Sequence, residues 1–162
     1  MNEHSSNEKS VVLWRSPEEP MEAELDGLRR LLGDFDLVKT ESENPEEVFN
    51  TALRVNARVI IAGLTGTDLA RLFELCRQHG IEIWRTRIVR VKEMTRKPVP
   101  HRDYDPRMED VLEGRKLFFR VYRIYRFDGF HRIVDIKCKK VRRYGLFKDY
   151  LCDMEAEIIR VR

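Results

Sequence analysis

Gly63-Leu64-Thr65-Gly66-Thr67 is the stretch of the 162-residue chain whose residue types best suit holding a phosphate or carboxylate. Two glycines leave backbone amides unshielded, two threonines offer hydroxyls, and the helix expected after them would present free N–H groups. Ser16, which follows an earlier apolar run, belongs to the same type of position. The expected anion or nucleotide site is therefore Ser16, Gly63, Thr65, Gly66 and Thr67. The spacing matches neither G-x-x-x-x-G-K-[ST] nor G-x-G-x-x-G, so neither nucleotide fingerprint is met.

A second group is basic. Arg85, Arg87, Arg96, Lys97, Arg102, Lys137, Lys139 and Lys140 all fall in the second half, with Tyr104, Tyr122, Tyr125 and Tyr144 interleaved. Arginine and lysine suit phosphates and aromatic rings suit bases, so these eight are the expected nucleic-acid surface. Formal charge agrees: residues 1–80 sum to −6 and residues 81–162 to +9, giving the total of +3. The competing reading is a solvated sheet face in which the cations pair with Asp103, Asp105, Asp128 and Asp135.

Asp135 and Lys137, two apart on a strand with Asp128 before them, have the outline of a metal-dependent nuclease motif. That chemistry needs two carboxylates for the cation and a lysine on the same face. No third acidic ligand stands out, and Asp128 is better explained by a turn. None of the four histidines sits at metal spacing with another His or Cys, and no serine or cysteine has a recognisable base beside it. No catalytic residue, metal or cofactor is therefore assigned. Cys76, Cys138 and Cys152 are odd in number and far apart, which reads as buried reduced thiols.

The elements that must position these groups follow from periodicity. Val11–Trp14 reads as a strand, and Ser16-Pro17-Glu18-Glu19 as a capping box opening a helix with Met21, Leu25, Leu28 and Leu32 inward. Phe35–Thr40 is a second strand, and Asn44-Pro45 opens a helix carrying Val48, Phe49, Ala52 and Leu53. Val59–Leu64 is a third strand. Thr67 or Asp68 then caps a helix with Leu69, Leu72, Phe73 and Cys76 on one stripe, ended by His79-Gly80. Ile81–Trp84 starts a fourth strand, continued by Arg85–Lys92. The order β-α-β-α-β-α-β predicts a Rossmann-like or flavodoxin-like three-layer parallel sheet over residues 11–92, behind a flexible tail at 1–10.

Residues 93–115 hold three of the six prolines and read as a long connection, with a helical turn from Pro106 to Leu112. Residues 116–162 read as an antiparallel extension of the same domain. Lys116–Phe127 and Phe130–Arg142 would be joined by a hairpin turn at Asp128-Gly129, and Tyr144-Gly145 would lead to a third strand. In the second of these strands Val134, Ile136 and Cys138 share one face, and Asp135, Lys137 and Lys139 the other.

The Gly63–Thr67 segment resembles the Thr/Gly-rich loops of CRISPR-associated Rossmann-fold sensors of cyclic oligonucleotides. That resemblance implies a cyclic-oligonucleotide ligand at this loop. Three functional classes follow: a non-catalytic RNA- or DNA-binding module using the basic half; a nucleotide or cyclic-oligonucleotide sensor, with or without ring-nuclease activity; and a protein-interaction subunit. The aromatic hairpin has more apolar side chains than three short helices cover, so a homodimer is expected. The sequence holds no apolar run long enough for a membrane span, and a cytoplasmic protein is expected. Charged residues at 36% with a single glutamine, Gln78, suit a thermophile.

Overall fold

The computed structural model describes residues 9–143 and 147–161. Its elements run β1 (Ser10–Arg15), α1 (Glu22–Leu32), β2 (Phe35–Thr40), α2 (Pro45–Arg54), β3 (Val59–Ala62), α3 (Gly66–Arg77), β4 (Glu82–Met94), β5 (Glu109–Lys116), β6 (Phe119–Arg143) and β7 (Phe147–Ile159). All seven strands form one sheet in the order β2-β1-β3-β4-β6-β5, with β7 also pairing β6. The first four are mutually parallel and the rest antiparallel. The antiparallel part thus lengthens the same sheet, making it mixed rather than purely parallel and flavodoxin-like.

Alternation along the parallel strands builds two cores, one on each face. Leu13, Ile60, Ala62 and Ile83 point toward α2 and α3, where Val48, Phe49, Ala52, Leu69, Leu72 and Cys76 meet them. Val12, Trp14, Val59, Ile61 and Trp84 point the other way, against Leu28 of α1 and Phe130 of β6. Burial in the first core pushes the Cys76 thiol up to about 12, so it is an inert core group.

Several sequence expectations are corrected. The first helix starts at Glu22, not at Ser16: the Glu24 carboxylate reaches back to accept from the Met21 amide at 3.0 Å. Ser16 Oγ accepts from the amide of Glu18 instead. Thr65, not Thr67 or Asp68, is the N-cap of α3, and its side chain makes no capping hydrogen bond. Ser10 of the predicted tail already belongs to β1, Lys9 leads into it, and residues 1–8 lie outside the described residues.

The connection after β4 is shorter than expected, residues 95–108, because Glu109–Lys116 is a strand and not a helical turn. Asp103 knits it: both Arg96 guanidinium nitrogens approach its carboxylate at 2.7 Å, and the Val99 amide donates to it. Asp128-Gly129 is not a hairpin. β6 runs through it for 25 residues, and the chain reverses instead at Leu117-Phe118, where Leu117 takes a φ of 57°. Gly129, at φ 86°, is where β7 passes, and a Cβ there would lie 2.4 Å from the Ile159 carbonyl oxygen.

The register of β6 against β7 shifts between Ile133 and Asp135. Val134 is the extra residue, so it leaves the face it was expected to share with Ile136 and Cys138, and Ile133 takes its place in the core. Cys138 and Cys152 are directly paired in this register and joined by a disulfide, with Cα atoms 4.0 Å apart. They are not the free thiols that sequence spacing suggested. The expected turn at Tyr144-Gly145 lies outside the described residues.

Candidate anion site at the sheet switch point

The chain leaves β1 through α1 to reach β2 at the sheet edge, then crosses back through α2 to β3 on the other side of β1. The helices after β1 and β3 therefore depart to opposite faces, opening the sheet at the carboxyl ends of these two neighbouring strands. Open α/β sheets bind ligands at this point. Parallel pairing of Arg15 with Ala62 ends both strands at one level, so Arg15-Ser16 and Gly63-Leu64 form the lip of the opening.

Arg15 is the unusual residue of that lip. It lies on the α2–α3 side of β1 and is only 3% exposed. Its Nε donates to the Ser42 carbonyl in the β2–α2 loop. Among the described residues Nη1 has no hydrogen-bond partner, although the atom is buried. Among the described residues the carboxylate paired with it is Glu43, 3.9 Å from Nη2 and itself 88% exposed. A pair with one partner in water is strongly screened, whereas a buried cation needs a close counter-charge. Arg15 is under-neutralised by the protein around it.

Gly63 lies close against Arg15, with no side chain between them. Its amide donates to the Arg15 carbonyl at 2.8 Å, and a Cβ would come within 3.1 Å of that oxygen and 3.6 Å of Nη1. The next turn starts α3, whose first amides lack a side-chain cap, Thr65 making no such bond. A cation with a spare donor, a missing side chain and an uncapped helix start thus meet at one loop, and together they suit a compact anion.

On the opposite side of the lip a cleft of about 230 Å³ runs between Trp14, Met21, Gly63, Ile88, Leu112 and Tyr125. Its character is acidic, with Glu18, Glu19, Glu24 and Asp110 in the wall against the single cation Arg85. Glu24 is buried and accepts from Thr86 Oγ1 at 2.7 Å. Burial raises its pKa above the ordinary carboxylate range, more than the Thr86 and Met21 hydrogen bonds lower it.

The five residues expected to hold an anion are divided by this geometry. Ser16 and Gly63 line the acidic cleft. Thr65 and Gly66 form the α3 start, Gly66 with a φ of 58° and open space around it. Thr67 faces a separate depression between α3 and the β6–β7 arm. Arg15, which is not among the five, lies beside Gly63.

The eight basic residues fall into three groups. Arg85 and Arg87 lie in mid-β4, Arg85 near Met154 and Arg87 paired with Asp128; their charges, after burial, hold the neighbouring His131 below its ordinary pKa. Arg96, Lys97 and Arg102 belong to the 95–108 connection. Lys137, Lys139 and Lys140 lie on the arm, Lys137 at 3.8 Å from Asp135 and Lys140 over the Tyr150 ring. Met94 pairs with Tyr122, so the connection and Lys137 are separated by fifteen residues of β6, roughly 50 Å of strand at 3.3 Å each. They do not form one patch. Among the described residues no three His, Cys, Asp or Glu side chains cluster as metal ligands.

Comparison with protein-family models, with curated proteins and with solved structures finds no match.

Proposed function

We propose that this chain is a ligand-binding module that holds a small anionic group, a phosphate or carboxylate, between Arg15, Gly63 and the first turn of α3. The observation that carries this reading is the buried Arg15 guanidinium with Nη1 unpartnered among the described residues. The ligand displaces the solvated Glu43 carboxylate and supplies the charge that the fold omits. Nucleotides and cyclic oligonucleotides are the first compounds to try, since they bring phosphate to a helix start. A thermal-shift panel of pyrophosphate, mononucleotides, cyclic oligoadenylates and dicarboxylates tests the reading. A ligand at 100-fold its Kd adds about 2.7 kcal/mol, a rise of roughly 5–10 °C for a domain of this size. No shift with any of them, or an equal shift in Arg15→Met, contradicts it.

A second reading, non-catalytic RNA or DNA binding, is favoured by one observation. Lys97, Arg102 and Lys139 are exposed and have no carboxylate partner among the described residues. It requires retention of single-stranded RNA or DNA on filters at low salt, falling steeply as salt rises. Replacing Lys137 and Lys139 by glutamate should then remove retention without unfolding.

A further inference from the structure

The β5–β6 turn is occupied by residues that hairpin turns seldom use. Two-residue turns favour Asn-Gly or Asp-Gly because positive φ is easy for them. Here Leu117 takes a φ of 57° and Phe118 follows. Their side chains cover little of this chain's own surface: Leu117 is 87%, Phe118 99% and Phe119 66% exposed. Behind the tip stand Arg115, Lys116 and Arg120. Lys116 and Arg120 each sit 3.4 Å from a glutamate, Glu93 and Glu113, while Arg115 has no acidic partner among the described residues. The tip is an apolar wedge with a basic collar.

The acidic cleft described above is its complement. Ile88 and Leu112 in its wall are 45% and 50% exposed, unpartnered like the tip. On its rim Glu18 and Asp110 have no basic partner among the described residues, and Glu19 is answered by Lys39. At about 230 Å³ the cleft lies below the usual range of about 300–1,000 Å³ for small-molecule sites. It suits one or two large side chains better than a nucleotide.

We infer that the tip of one chain seats in the acidic cleft of a second copy, reciprocally, in a two-fold dimer. Leu112 precedes Leu117 by five residues on the same finger, so each tip lies roughly 17 Å from its own cleft along the strand. Two fingers lying antiparallel side by side bring each tip to the other's cleft, which is the self-complementary arrangement two-fold symmetry requires. Arg115 then meets Glu18 and Asp110, and Phe118 meets Ile88 and Leu112. The cleft shares Ser16 and Gly63 with the proposed anion site, but the tip, Glu18 and Asp110 take no part in that site, so the two readings are tested by different variants.

Light scattering over a concentration series tests it. The unmodified protein should give twice its 19.4-kDa chain mass. The variant Leu117→Asn/Phe118→Gly has the dipeptide a hairpin prefers, so it should fold at least as stably yet run as a monomer. Glu18→Arg/Asp110→Arg should also be monomeric. Mixing the two variants should restore part of the dimer, because one intact tip and one intact cleft then meet. A monomeric unmodified protein, a dimeric tip variant, or a mixture no more associated than its parts would overturn the inference. So would tip-dependent binding of a monomer to anionic lipid vesicles or to single-stranded DNA, since another occupant would then hold the wedge.

Discussion

Arg15 and Glu24 are two buried charges on opposite faces of the sheet, and the protein treats them differently. Glu24 is hydrogen-bonded on both oxygens and pays for its burial through a raised pKa, which has a testable sign. A carboxyl whose folded pKa is raised contributes most stability while protonated in both states, below about pH 4, and that contribution is lost as pH rises through the folded pKa. Glu24→Gln should therefore match the parent near pH 4 and be the more stable of the two at pH 7–8, in denaturation curves measured across that range. Arg15→Met should leave ligand-free stability unchanged or raised, since replacing an under-paired buried ion by an apolar chain of similar length removes a desolvation cost. A fall of several kcal/mol would assign Arg15 a purely structural role. Gly63–Thr67 was legible as the turn between a strand end and a helix start, which is where the structure places it. The burial of Arg15 was not, because it depends on the Thr40–Asn44 loop closing over it, and an arginine at a strand end ordinarily reads as solvated.

Among the elements, the parallel half followed from sequence because each strand is an apolar run and α2 begins at its expected Asn44 cap, whereas the α3 cap lies two residues before Thr67. The antiparallel half was misread at its turn. Asp128-Gly129 carries a strong hairpin signal, yet Gly129 serves the close passage of β7, a contact thirty residues distant that no local pattern encodes. Gly129→Ala should accordingly cost about 3 kcal/mol, combining an unfavourable backbone and a forced clash, against about 1 kcal/mol for a glycine in a free turn. Urea unfolding measures the difference. The β6–β7 arm adds a second test. Its disulfide closes a sequence separation of 14 residues, worth about 3 kcal/mol in the loop-entropy view. Cys138→Ser/Cys152→Ser should speed amide exchange along β7 far more than in β1 or β3. Uniform protection in all three strands would show that the arm does not depend on the bond.

At the scale of the molecule, charge and apolar surface are distributed so that the two ends of the sheet differ. The parallel half ends at the buried Arg15 and the α3 start, the antiparallel finger ends in the apolar tip, and the basic residues are spread among three places. None of the helices among the described residues is long and apolar enough to cross a membrane. Net charge by halves was readable from composition, and so were the aspartates of the competing reading: Asp128, Asp103 and Asp135 stand beside Arg87, Arg96 and Lys137, which reduces what these cations offer a polyanion. The central claim, an anion held at the switch point, is tested most directly by mapping amide chemical shifts during titration with pyrophosphate and then with a cyclic oligoadenylate. The account predicts that perturbations centre on Ser16, Gly63, Gly66 and Thr67, together with the Arg15 side chain, and vanish in Arg15→Met. Perturbations confined to residues 96–102 and 137–140, with the β1 and β3 ends unmoved, would contradict it.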